Sequence, residues 1–161
     1  MKALVVYDSI FGNTEKIARA IGAALGSPED AAVARASEVS MEQLKGLRGL
    51  VVGSPTRAFN PTKDTTAFLK RLPSRALDGV AVAGFDTRMN IDKAPGFLKF
   101  MVGLFGYAAE PIAKRLKKAG GKEAAAPAGF IVTDTEGPLQ DGELERAADW
   151  ARQIAEAGGL A

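Results

Sequence analysis

A chain of 161 residues, 47% apolar and 25% charged, has the size and make-up of one globular domain able to bury a core without staples. It has no Cys and no His, which excludes disulfides, thiolate nucleophiles, iron–sulfur clusters, Cys-ligated zinc and the Ser-His-Asp triad. The formal net charge of +2 is unevenly spread: residues 57–122 carry thirteen cations and five acids, and residues 123–161 two cations and eight acids.

Chemistry here is therefore carboxylate-based or belongs to a bound cofactor. The basic middle reads first as solvated helix faces, and otherwise as a surface for phosphate-rich or acidic partners. No apolar run approaches the ~20 residues of a membrane span. The N-terminal apolar stretch is too short for a signal peptide and is read as a buried strand. A cytoplasmic protein is expected.

Segment 3–7 (Ala-Leu-Val-Val-Tyr) is a continuous apolar run, which predicts a central parallel strand. Ile17, Ile21 and Leu25 mark one face of a helix that Gly26 stops. Segment 31–36 is polar enough for an edge strand. Ser40 and Gln43 form a capping-box pattern before a short helix ending near Gly46. Segment 49–53 is the third predicted strand. Phe68, Leu69 and Leu72 give the next helix its buried stripe, and segment 79–85 is the fourth strand. Residues 97–107 crowd Phe97, Leu98, Phe100, Met101, Val102, Leu104, Phe105 and Tyr107 between glycines. This segment reads first as a core-packed or lid-like insertion, and otherwise as an exposed apolar patch for a partner. Pro111 opens a helix with Ile112 and Leu116 inward, and 128–133 is the fifth strand. Asp141 can cap a last helix whose Leu144, Ala147, Ala151 and Ile154 face the sheet. The lone Trp150 on that helix is a packing residue.

Five strands alternating with helices predict an α/β fold: a three-layer sandwich with a parallel sheet in the order 2-1-3-4-5 and helices on both faces, in one domain over 1–161. Ligands in such sheets sit beyond the carboxyl ends of the strands, where the first and third strands diverge.

The loop at that point runs Asp8-Ser9-Ile10-Phe11-Gly12-Asn13-Thr14-Glu15 and enters the first helix directly. A helix N-terminus offers free N–H groups and partial positive charge to an anion. Ser9, Asn13 and Thr14 add side-chain donors, and Gly12 allows close backbone approach. No Lys or Arg lies within the loop, which suits a monoester phosphate held by hydrogen bonds. The loop has neither the G-x-G-x-x-G of a dinucleotide site nor the G-x-x-x-x-G-K-[ST] of a nucleoside triphosphate site. A response-regulator receiver needs an Asp ending the third strand and a Lys ending the fifth; here those places hold Gly53-Ser54 and Thr133-Asp134.

YDSIFGNTEKIARAI (7–21) resembles the phosphate loop and first helix of the flavodoxin family, whose common form is S/T-x-T-G-x-T. GSPTRAF (53–59) resembles the family's second flavin loop and GFDTR (84–88) its third. GFIVTDTEGPLQDGELERAADWA (129–151) is similar to the C-terminal half of one branch of the family. The resemblance implies a flavodoxin-like fold, FMN as cofactor, and electron transfer to redox partner proteins. It implies that Ser9, Ile10, Phe11, Gly12, Asn13 and Thr14 hold the phosphate. Ser54, Pro55, Thr56, Arg57, Ala58 and Phe59 would border the ribityl chain and one side of the ring. Asp86, Thr87 and Arg88 would border the other. Arg57, Phe59, Arg88 and Met89 stand where the family commonly places a Trp and a Tyr against the ring. An FMN-dependent NAD(P)H or quinone reductase and a flavin-free regulatory module on the same fold are the alternatives. Partners with acidic docking surfaces are expected from the basic middle, and no nucleic acid. The second loop has no Gly, so a left-handed residue at Ala58 is expected to cost ~1–2 kcal/mol and to be disfavoured.

Overall fold

Residues 1–160 are described by the structure, a computed structural model. Strands β1 (Ala3–Tyr7), β2 (Ala31–Arg35), β3 (Gly49–Pro55) and β4 (Ala81–Met89) pair in parallel in the order β2-β1-β3-β4. The fifth position is shared by two short segments. β5 (Lys122–Glu123) pairs with the start of β4, and β6 (Ala128–Val132) pairs with its end, with Phe85 opposite Ala128 and Met89 opposite Val132. Pro127, which has no N–H for the ladder, falls in the break. The predicted strand order holds, and β2 lies at the edge as its polar make-up requires.

Apolar residues cover both faces of the sheet. On one, Val5, Tyr7, Ala83 and Phe85 pack with Ile17 and Ile21 of helix α1 (Asn13–Leu25) and with Trp150 and Ile154 of α5 (Glu143–Gly158). On the other, Leu4, Val6, Leu50 and Val82 pack with Phe68 and Leu69 of α2 (Lys63–Arg71) and Ile112 and Leu116 of α4 (Ala109–Lys118). β1 is buried at every position and β3 at all but Pro55, because both their faces are covered. Trp150 completes an edge-to-face trio with Phe85 and Phe130 at centroid separations of 6.0–6.1 Å, and its Nε1–H donates to the Ala126 carbonyl at 3.2 Å. Gly53 in β3 makes room for the trio: a Cβ there would lie 2.0 Å from the Phe85 ring.

Five expectations are corrected. β3 and β4 run on past the predicted ends at 53 and 85, so Ser54, Pro55, Asp86, Thr87 and Arg88 sit in strands, held by pairs Ser54–Asp86 and Pro55–Thr87. The element after Ser40 is one 3-10 turn, Met41–Leu44, although the Ser40–Gln43 capping box forms. Helix α5 is preceded by Gly142 at φ 85, not capped by Asp141. Leu144 is 46% exposed instead of facing the sheet. The cause is Glu143, whose buried carboxylate accepts the Ile131 N–H at 2.6 Å and so turns position 143 inward and 144 outward. The 97–107 segment is not core-packed either. Helix α3 (Gly96–Phe105) has no buried residue.

The second loop folds as a two-residue hairpin. Arg57 and Asn60 exchange backbone hydrogen bonds of 2.8 and 3.0 Å, with Ala58 at φ 47 and Phe59 at φ 70. Both are left-handed, as the tightest hairpin turn demands. Ala58 thus adopts the conformation expected to be disfavoured, and the Asn60 side chain helps hold it by donating to the Ala58 carbonyl at 2.9 Å.

Two consequences for stability follow from these contacts. Ala58→Gly should raise stability by ~0.5–1 kcal/mol, because relief of the left-handed Cβ clash outweighs the added chain entropy; a urea midpoint that falls would contradict this. Hydrogen bonds from Arg146, joined by the Ile131 N–H and opposed by burial, hold the Glu143 carboxyl below the usual range. A depressed carboxylate contributes stability above its unfolded value of ~4.3 and loses it as pH falls through the lower folded value. Glu143→Gln should therefore cost about 1–2 kcal/mol at neutral pH, discounted for the half-exposed Arg146. The difference from wild type should vanish in acid, read by urea unfolding across pH.

Candidate functional site

The carboxyl ends of β1, β3, β4 and β6 open onto a cleft of about 490 Å³, measured to include its open mouth. It is lined by the β1–α1 loop (Ser9, Ile10, Phe11) with Asn13 and Thr14, by Pro55, Thr56 and Arg57, by Thr87, Arg88 and Met89, and by Val132 and Thr135. The sheet rule places it there: β1 leads left to β2 and β3 lies on the right, so their loops part.

The β1–α1 loop is tightly tied. The Ser9 N–H donates to Asp8 Oδ1 at 2.9 Å, and Ser9 Oγ accepts the Gly12 N–H at 3.0 Å. Arg35 donates to the Ser9 carbonyl at 3.2 Å from the neighbouring strand. Gly12, at φ 95, turns the chain into α1 without any side-chain cap. The Lys16 N–H bonds to the Gly12 carbonyl at 3.1 Å, so the amides of Asn13, Thr14 and Glu15 have no partner within the helix. The Asn13 side chain donates to the Glu136 carbonyl at 3.0 Å, which ties the β6–α5 loop to the site.

Across the cleft floor the Thr14 and Thr87 hydroxyls meet at 2.8 Å, both buried. Two hydroxyls bring two protons and the bond between them uses one. The other, with the Ser9 proton, remains available to a ligand.

Several of the expected site residues are committed elsewhere. Ser54 is fully buried; its Oγ donates to the Pro55 carbonyl and accepts the Thr62 N–H, both at 2.9 Å, pinning the start of α2 to the end of β3. Asp86 is fully buried. It takes a two-pronged grip from Arg88 at 2.7 Å on each oxygen and accepts the Ala109 N–H at 2.9 Å. Burial pushes the Asp86 carboxyl up, against the pull of Arg88 and of that amide. Thr56 Oγ1 accepts the adjacent Ala108 N–H at 3.1 Å. Asp86 and Thr56 therefore satisfy the otherwise free amides at the start of α4. Arg88 lies 3.6 Å over the Tyr107 ring and against the backbone of Gly129, where a Cβ would lie 2.1 Å from it. Burial raises the Tyr107 hydroxyl.

Ser54, Ala58, Phe59 and Asp86 do not line the cleft, and neither does the Gly12 side of the loop. Phe59 turns to Phe105 of α3 instead, at 5.5 Å between centroids. Phe11 is the one aromatic among the lining residues. Met89 lines the cleft as its place beside the third loop implied, and Val132 and Thr135 join it without having been expected. The signal for Val132 was available: it ends a strand at the sheet's carboxyl edge and pairs with Met89.

Residues 5–150 match the model of the flavodoxin family. No curated protein sequence matches the chain. Among solved structures, oxidised flavodoxin 2 from Bacillus cereus superimposes with TM-score 0.76 at 22% identity, over 97% of this chain and 99% of that one. An archaeal flavodoxin superimposes with TM-score 0.70 at 24% identity, over 99% of both chains. A WrbA-like flavodoxin from Agrobacterium tumefaciens does so with TM-score 0.72 at 18% identity, over 98% of this chain and 97% of that one. These likenesses establish the fold, and the family model, matched over nearly the whole length, establishes that the chain belongs to the flavodoxin family, whose cofactor is FMN.

Proposed function

We propose that the chain is an electron carrier that holds the FMN phosphate at the N-terminus of α1. The observation that carries this reading is the open amide end of α1, with the Asn13, Thr14 and Glu15 N–H groups unbonded in the helix and the Ser9, Thr14 and Thr87 hydroxyls around it. Such a set fits a phosphate monoester, with a hydrogen bond for each anionic oxygen and the helix dipole for its charge. Pro55, Met89 and Val132 offer apolar surface for the ring, Phe11 an aromatic face, and Arg57 a cation at the mouth. FMN bound there would supply reversible uptake and release of electrons, and these residues would hold its phosphate and flank its ring. The pairing of Arg88 to Asp86 removes one of the cations that a nicotinamide-nucleotide phosphate would need, which favours a carrier over a reductase.

The purified protein should show a flavin visible spectrum, and apoprotein should bind FMN far more tightly than riboflavin. Thr14→Ala should weaken FMN by roughly 10- to 150-fold, the worth of ~1.5–3 kcal/mol for a hydrogen bond to a charged group. Calorimetric titration with both flavins checks this, and equal affinities would refute a phosphate-anchored site.

We further propose redox partners with acidic docking surfaces, working in the cytoplasm. The support is the excess of eight cations over residues 57–122, with Arg57, Lys63, Lys114, Lys117 and Lys118 exposed. Electron transfer to an acidic acceptor should slow as ionic strength rises, measured by stopped flow. Rates that climb with salt would point to a basic partner.

A further inference from the structure

Arg35 ends β2, a strand otherwise made of Ala and Val. Strand register sets it beside Tyr7, the last residue of β1, and its guanidinium carbon lies 5.3 Å from the centre of the buried Tyr7 ring. That stacking holds the head group next to the loop that follows Tyr7. There it meets three further groups. Nη1 donates to the Ser9 carbonyl at 3.2 Å and to Asp8 Oδ1 at 3.4 Å, and Nη2 lies 3.8 Å from Glu15 Oε2. Arg35 does not line the cleft, so whatever it does for a ligand is done through this loop.

Asp8 and Glu15 stand at the two ends of the loop, one residue before Ser9 and one after Thr14. Neighbouring Cα atoms are ~3.8 Å apart, so both acids fall within about one Debye length, ~8 Å at physiological salt, of an anion held by residues 9–14. A phosphate monoester carries about 1.5 to 2 negative charges at neutral pH, and unpaired acids this near would repel it. Glu15 has a second cation, Arg19, at 2.7 Å, which is 64% exposed. Among the described residues Asp8 has Arg35 alone, and its side chain is only 16% exposed, so little water screens its charge. The Asp8 oxygen that takes Arg35 also accepts the Ser9 N–H, which joins guanidinium, carboxylate and the first loop amide in one cluster.

Given the α1 end as the phosphate site, on which this inference rests, we propose that Arg35 is the positioning residue of that site: from the neighbouring strand it cancels the charge of Asp8 and, with Arg19, of Glu15, so that the loop offers its donors to an anion without the repulsion of its own acids. It also holds the Ser9 carbonyl, whose dipole would oppose an anion, on the β2 side of the loop. The countercharge of the site thus lies behind the loop, where it touches no ligand atom. The Ser9 hydroxyl and the amides at the start of α1 are left to select the phosphate by geometry.

Titration of the flavin-free full chain with FMN and with riboflavin, followed by flavin fluorescence, tests this. Arg35→Met, which keeps a long side chain and removes its charge and donors, should weaken FMN at least about fivefold and leave riboflavin within about twofold. Adding Asp8→Asn to Arg35→Met should return most of the lost FMN affinity, because the amide oxygen still accepts the Ser9 N–H while the charge is gone. Asp8→Asn alone should tighten FMN by about two- to fivefold with riboflavin unchanged, and it carries the test if Arg35→Met misfolds. Parallel loss of both flavins in Arg35→Met would make Arg35 a support of the fold alone and overturn the proposal. Unchanged FMN binding by the single variants, or a double variant no better than Arg35→Met, would overturn it too. Those failures leave a wild type that still prefers FMN; equal affinity of the wild type for the two flavins would instead refute the phosphate site, and the role of Arg35 with it.

Discussion

A carboxylate removed wholly from water has to be paired, and the pairing of Asp86 organises the end of the sheet where the cleft opens. Its oxygens take the Arg88 guanidinium from two residues along the same strand and the Ala109 amide from the start of α4. Three consequences come from that one group. Arg88 is held between Gly129 and the Tyr107 ring, so the cation that lines the cleft is already stacked and paired. Helix α4 begins where Asp86 and Thr56 meet its open amides. And the chain between Met89 and Ala108 is clamped at both ends, so it must leave the body and return.

That closure accounts for the exposure of α3. With α4 already lying over the sheet, no bare sheet face remains for the excursion to cover, and a helix as apolar as Gly96–Phe105 is left in water. Phe105 of this helix packs on Phe59, which sits in a left-handed turn that few side chains tolerate. The strained hairpin and the exposed helix thus touch beside the cleft. Strain of this kind persists where the surroundings over-determine it. Here the double backbone exchange between Arg57 and Asn60 and the Asn60 side chain do so.

What could be read from the sequence divides along the same line. The continuous apolar runs in β1 and β3, the four-residue spacing of Ile17, Ile21 and Leu25, and the alternation of elements carry the strand order and the place of the cleft, because each is a local pattern with one cheap tertiary solution. The β1–α1 loop was legible for the same reason, since an open helix end beside a sheet edge needs no distant residue to define it. Where the Asp86, Ser54 and Leu144 side chains point was not legible, because residues elsewhere in the chain decide it: Ala109, Thr62 and, through Glu143, Ile131. Propensity also misjudged Ala58, whose local cost is overridden by a hairpin that closes only with φ positive at both central residues.

The two ends of the cleft work by different physics. At the α1 end no cation is present in the loop, so an anion would be held by dipoles and hydroxyls fixed in place by Gly12, Arg35 and the Thr14–Thr87 pair. Such donors are short-ranged, select by geometry and are little affected by salt, because they act at contact distance inside a rigid turn. The cations lie instead on the surface, on the 57–63 loop, beside α3 and along α4. Their field reaches about one Debye length, ~8 Å at physiological salt, far enough to orient an approaching acidic surface but not to distinguish one phosphate ester from another. Recognition inside the cleft and attraction outside it are thus separable in this chain. A change in surface charge can retune what it meets without disturbing what it holds.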